Sequence, residues 1–224
     1  MSRIGAGLSG AFALLVGVLL AAVLLPLPEN TGLRVPVSEH MHVSGVEHPV
    51  TAVLLNFRAY DTFLELGVLL LAVLGAWSLG RHTPLPARPV PGPVMPGTVR
   101  LLIPAAVVIG VYLLWAGSHA PGGAFQAGAV LGAAGVLWVL TRPRDLPAPP
   151  PPLLRVGLMV GAGVFIVVGI AGLLLGYGFM GYGPGQAYTL ILLIETAATV
   201  SIALTLVALF LGGSPGEARM KVEG

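Results

Sequence analysis

Six apolar runs, separated by short polar segments, set the pattern of this chain. They cover residues 4–25, 62–79, 99–116, 122–140, 153–176 and 187–211. A helix that crosses a bilayer needs about 20 apolar residues, so each run predicts one membrane-spanning helix. The first follows Arg3 and resembles a signal peptide in outline. It outlasts the usual apolar region of such peptides, which is roughly 7–15 residues. It ends in Pro26-Leu27-Pro28-Glu29 rather than a small-x-small cleavage site, so a retained span is expected. Pro-rich loops occupy residues 81–97 and 141–152. Proline-rich composition favours a semi-rigid strap over a loose linker.

The loops between the runs alternate in charge. Arg3, Arg81, Arg88, Arg100, Arg142, Arg144, Arg155, Arg219 and Lys221 flank one set. The other set carries Glu29, Glu39 and Glu47 against a single Arg34, or no lysine or arginine at all. Counting lysine and arginine on alternate sides predicts cytoplasmic N- and C-termini. Trp77 and Trp138 fall near predicted inner ends, and Trp115, Tyr177, Tyr182 and Tyr188 near outer ends. Composition agrees. Of 224 residues, 56% are hydrophobic and 9% charged, against about 25% charged in a soluble domain. The expected fold is an all-α integral membrane protein of about six spans. Without cysteine the chain has no disulfide, thiolate metal site or iron–sulfur cluster. A net charge of +2 is too small to imply nucleic acid.

Two polar strings interrupt the apolar text. The first is VTAVLLNFRAYDTFLE, residues 50–65, and the second is GSHAPGGAFQ, residues 117–126. Ionisable groups at the edge of a span are costly and tend to be in use. A single helix over residues 50–79 would be roughly 45 Å long, against a bilayer core of about 30 Å. A short segment to Asn56, a break, and then the spanning helix are therefore expected. On a helix Arg58, Asp61 and Glu65 share one face. Two carboxylates raise one pKa while the arginine lowers it. Such a cluster suits proton or sodium transfer, with Arg58 as a tuning charge; an interfacial ion pair anchoring the helix end is the simpler role for Arg58 and Asp61. Glu65 lies deeper and is the stronger ion-path candidate.

In the second string, Pro121 suits the first turn of a helix, with Ser118 or His119 at the cap. Gly122 and Gly123 permit close backbone approach, Phe125 faces a neighbour, and Gln126 can hydrogen-bond another helix. His119 is of the residue type most often used for proton transfer, and a structural role is the alternative. Gly128 and Gly132, like Gly157 and Gly161, are small-xxx-small steps that expect a packed neighbour. Glu195 lies well inside the last run, where a carboxyl must be protonated or paired. Thr199 is its best local partner. Its two roles are an ion path or packing glue between helices. His40 and His42 could face together only on an extended strand, and no second fixed pair supports a metal site. Gly181-Tyr182-Gly183-Pro184-Gly185 lacks the Lys-Ser/Thr of a phosphate loop and reads as an outer turn. No nucleophile–base pair and no cofactor site is evident.

The two strings also resemble known signatures. Residues 50–65 are similar to the MbhE-like segment of Mrp-type antiporters and membrane-bound hydrogenases. Residues 117–128 resemble the Gly-His-x-x-Pro-Gly-Gly-Gly-Phe signature of the MrpB/MnhB subunit, with Gly-Ser-His for Gly-His and Ala124 for the third glycine. Asn56 stands where the MbhE-like pattern often has aspartate. Glu195 stands where the last MrpB-like helix often has aspartate. The resemblance covers nearly the whole chain. It implies an MbhE-like two-helix unit (1–80), a Pro-rich cytoplasmic linker (81–98), an MrpB/MnhB-like four-helix unit (99–211) and a cytoplasmic tail (212–224). The implied protein is a subunit of a multisubunit Na⁺/H⁺ antiporter in a bacterial or archaeal cytoplasmic membrane. It is a transporter component, not an enzyme. Its implied partners are large antiporter-like subunits, small helical subunits, Na⁺, H⁺ and lipid. Asp61, Glu65, Glu195 and His119 are the implied ion-path candidates. The same module in a redox-driven complex, or coupled to another soluble partner, and a pure scaffold are the competing readings.

Overall fold

The computed structural model describes residues 3–25, 32, 34–79, 92, 94–141, 151–183 and 185–212. Among them every regular element is a helix. In order these are α1 (Arg3–Leu24), α2 (Arg34–Ser44), the short α3 (Pro49–Ala52), a π-helical turn (Val53–Phe57), α4 (Ala59–Leu79), α5 (Val94–Ala116), α6 (Ala124–Thr141), α7 (Pro151–Leu174) and α8 (Ala187–Leu211). By length and composition, α4 to α8 can each cross a membrane, while the described apolar part of α1, Gly10–Ala22, is shorter. The chain is a multi-pass membrane protein. Most of both Pro-rich loops, with Arg81, Arg88, Arg142 and Arg144, and the tail with Arg219 and Lys221 lie outside the described residues.

The chain forms two compact units, residues 1–36 and 37–224. Within the second, α8 is the central post, packed against α4, α6 and α7. Apolar all round, it buries Ile191, Ile194, Ala198 and Ile202 along with the polar Glu195, Thr199, Ser201 and Thr205. A helix apolar on every side belongs inside a bundle. Small residues on its neighbours let it in. A methyl group at Gly128 of α6 would lie 2.7 Å from Ile202, and one at Gly161 of α7 would lie 2.8 Å from Ser201. The Ser201 hydroxyl donates to the Leu158 carbonyl of α7. Phe165 of α7 and Met180, both fully buried, complete the core with Leu55 and Leu66.

Three boundaries differ from those expected. The segment after α1 contains α2 rather than a loop, so His40 and His42 two apart on a helix point to different faces. α5 starts at Val94, inside the stretch assigned to the linker, because Pro96 is tolerated in a first helical turn. α6 starts at Ala124 and leaves Pro121 in the preceding turn.

The long polar-to-apolar stretch does break. The Arg58 N–H reaches back five residues to the Val53 carbonyl at 2.8 Å, and Arg58 itself leaves helical geometry at φ −129°, ψ 37°. Carbonyls freed at such a break need donors where water is scarce, and side chains supply them. The Thr62 hydroxyl donates to Leu54 at 2.7 Å. The Tyr182 hydroxyl, from the α7–α8 loop, donates to Leu55 at 2.6 Å. The Asn56 amide donates to the Ser44 carbonyl at 3.3 Å, a bond an ionised aspartate could not make. Phe179 of the same loop stacks on Tyr60 with ring centres 4.6 Å apart.

Burial raises the Tyr182 phenol above its ordinary value of 10.0. Because the folded value exceeds the unfolded one, this phenol supports the fold fully below about pH 10 and progressively less as pH rises through the folded value. Tyr182→Phe is expected to cost about 1–3 kcal/mol at neutral pH by orphaning the Leu55 carbonyl. It should also flatten the alkaline loss of stability. Thermal unfolding in detergent, followed by circular dichroism across pH, checks both.

Candidate functional site

The second polar string folds into a tight turn between α5 and α6. The Ala120 N–H returns to Ala116 at 2.7 Å and the Gly123 N–H to Leu113 at 2.8 Å, so the chain wraps around the end of α5. Gly122 sits so close to the Leu113 carbonyl that a methyl group would strike it, and one at Gly117 would lie 2.7 Å from the backbone of Gly123. Gly123 holds φ +107°, a conformation that side chains with Cβ rarely adopt.

Glu195 of α8 reaches into this turn. Its Oε1 lies 2.7 Å from where a Gly123 Cβ would stand and 3.3 Å from the corresponding point at Gly117. The Ala124 N–H, the first of α6, donates to its carboxyl group. The carboxyl thus occupies a glycine-walled pocket at a helix N-terminus, where unpaired N–H groups and the helix dipole favour negative charge. Glu195 is only 5% exposed, and among the described residues it forms no ion pair. Thr199 does not partner the carboxyl group as expected. Its hydroxyl donates to the Glu195 backbone carbonyl at 2.7 Å and lies 3.5 Å from the Ala124 carbonyl. A threonine four residues on bonds most readily to the carbonyl of its own helix.

The first polar string, together with residues 47 and 48 just before it, docks on the same turn. The N–H groups of Glu47 and His48 both donate to the Ser118 carbonyl, at 3.0 and 2.9 Å, and Thr51 of α3 donates its hydroxyl to the Gly117 carbonyl. Gly117 therefore has Thr51 on one side and Glu195 on the other. In the sequence Thr51 carries no signal beyond a hydroxyl inside an apolar run. Ser118 and His119 do not cap α6. They sit in the turn before it, with the serine hydroxyl 2.7 Å from His119 Nδ1. His119 is exposed, its ring edge-on to Trp115 at 4.7 Å.

Arg58 and Asp61 pair at 2.5 Å. Glu65 forms no ion pair among the described residues. It lines an open groove of about 570 Å³ with Asp61, Leu64, Val68, Leu69 and Phe125. Phe125 directly follows Ala124, so the groove and the Glu195 pocket adjoin the same first turn of α6. Gln126 stands at the pocket's edge, its Oε1 3.8 Å from the Gly123 Cβ point, and Gly132 packs on Leu206 of α8. No cluster of three or more His, Asp or Glu side chains that could hold a metal ion occurs among the described residues.

Gly123→Ala is expected to cost about 1–3 kcal/mol through backbone strain and to displace the Glu195 carboxyl group. Thr51→Val should cost a similar ~1–3 kcal/mol by leaving a buried carbonyl without a donor, while Thr51→Ser keeps most of that stability. Unfolding midpoints of the purified variants test these orders.

A family model described as a domain related to the MnhB subunit of Na⁺/H⁺ antiporter matches residues 94–214, the stretch from α5 to the end of α8. No curated protein matches the sequence. Two solved structures share the fold. A chain in the structure of the Mrp complex from Dietzia sp. DQ12-45-1b aligns with 96% of this chain at 24% identity and a TM-score of 0.67. This chain spans only 26% of that one. A chain of the membrane-bound sulfane sulfur reductase, an archaeal respiratory membrane complex, aligns over 93% of this chain and 97% of its own length, at 24% identity and a TM-score of 0.69. The family match covers more than half of the 224 residues, and the chain belongs to the family of domains related to the MnhB subunit of Na⁺/H⁺ antiporters.

Proposed function

We propose that this chain is a membrane subunit of a multisubunit monovalent cation/proton antiporter. In this reading Glu195 is an ion-exchanging carboxyl group. The observation that carries it is the Glu195 pocket: a buried carboxyl group held by one backbone N–H, with no basic side chain to neutralise it among the described residues. A group held this way can take up and release a proton, or trade it for Na⁺, without breaking an ion pair. Glu65, across the first turn of α6, extends the path toward the groove. Asp61 joins it there, with Arg58 as its counter-charge. His119, exposed on the same turn, is the outer proton relay. The complex lies in a bacterial or archaeal cytoplasmic membrane with both chain termini inside, and large antiporter-like subunits supply the long proton pathways. The MbhE-like portion up to residue 80 carries Glu65, and the four-helix portion carries Glu195.

A second reading places the same module in a respiratory complex. It is favoured by the near end-to-end match to a chain of the sulfane sulfur reductase. Purification of the native complex decides between the two, since only the respiratory version brings down a redox subunit.

Everted membrane vesicles containing the whole complex, loaded with a pH-sensitive dye and pulsed with Na⁺, test the role of Glu195. Glu195→Gln, close in shape but unable to ionise, is expected to lower Na⁺-dependent proton flux by at least about tenfold with subunit recovery unchanged. Glu195→Asp should retain part of the flux. Full flux in the assembled Gln variant would make the subunit a scaffold.

A further inference from the structure

Glu65 stands about two turns into α4, a helix able to span the membrane. Around it, Leu64, Val68 and Leu71 are 62%, 64% and 67% exposed and follow i, i+4, i+7 spacing, one continuous stripe on the helix. The groove beside the stripe is walled by Leu69 of α4 and Phe125 of α6. Its two carboxylates are Asp61 and Glu65, and Arg58 pairs with Asp61. Glu65 has no ion-pair partner among the described residues. Lipid tails offer neither a donor nor a counter-charge, so a carboxyl group facing them is expensive and is normally turned to a partner. The apolar stripe, the groove and the Glu65 carboxyl group together describe a surface shaped for a helix and charged for a cation.

We propose that this groove is the docking face for a transmembrane helix of another subunit, which presents a lysine or arginine to Glu65. The proposal rests on the reading of the chain as part of a multisubunit complex. α1 of this chain does not meet the requirement, because its one basic residue is Arg3, at its very start. A second copy inserted in the same sense is a poor fit as well, since Arg100 of α5 and Arg155 of α7 lie near the starts of those helices, on the side where α4 ends, away from Glu65. The occupant is therefore a different polypeptide.

The experiment uses the complete complex in native membranes. A photoreactive benzoylphenylalanine replaces Val68, and in a separate variant Leu64. Irradiation is expected to join this chain to one other subunit from both positions. Glu65→Lys, which sets two cations face to face, should abolish that adduct and reduce co-purification of the subunit more than about tenfold. Glu65→Gln should give a smaller loss, and a basic-to-acidic exchange on the captured helix should restore pairing with Glu65→Lys. Adducts only with lipid, with α1 or with a second copy would overturn the proposal, as would an adduct that survives Glu65→Lys unchanged. The readout is association, so it stands apart from the flux assay on Glu195.

Discussion

A carboxyl group buried among helices must be given a donor, and the seating of Glu195 shows what that requires of the rest of the chain. The donor is the Ala124 N–H, available because Ala124 begins α6. For that N–H to face α8, the chain must leave α5, turn within seven residues and start α6 against the same helix. Gly117, Gly122 and Gly123 make the turn compact enough, since side chains there would strike backbone or the carboxyl group itself. Gly128 and Gly132 then bring α6 close along the length of α8. One polar contact and a row of small residues thus hold the same two helices, the first giving them a register and the second a distance.

The break at Arg58 follows from the same shortage of water. A π-helical turn leaves carbonyls that the next helix cannot reach, and Thr62, Tyr182 and Asn56 each take part in filling the need or fixing the turn. The break allows α3 to lie on the glycine turn, where Thr51 bonds to Gly117, while α4 runs on along α7 and α8. The two polar strings therefore meet through backbone carbonyls, not through their charges. The charges of the first string, at Asp61 and Glu65, turn instead to the groove beside Phe125.

Much of this was legible beforehand because hydrophobic run length reports directly on a bilayer's thickness. The spans of α4 to α8 and the break before α4 follow from length alone. Helix starts were harder. α6 was expected to begin with Pro121, but the return of the Gly123 N–H to Leu113 keeps those residues with α5. The role expected of Thr199 also changed hands, because a threonine four residues along reaches its own helix's carbonyl before any carboxylate. Thr51 and Tyr182 were invisible as partners, since each bonds to a backbone carbonyl distant in sequence, and a carbonyl carries no residue-specific signal.

By itself the sequence determined that the chain spans a membrane, where it must break, and which ionisable groups lipid would not tolerate alone. Those properties depend on local composition and length, which every residue carries with it. Only the tertiary structure decided that Glu195 meets the Gly117–Gly123 turn, that Thr51 stands behind the same glycine, and that Glu65 opens on a groove instead. Those outcomes depend on which helices touch and in what register, and steric fit between small and large residues sets that register only once the bundle has formed.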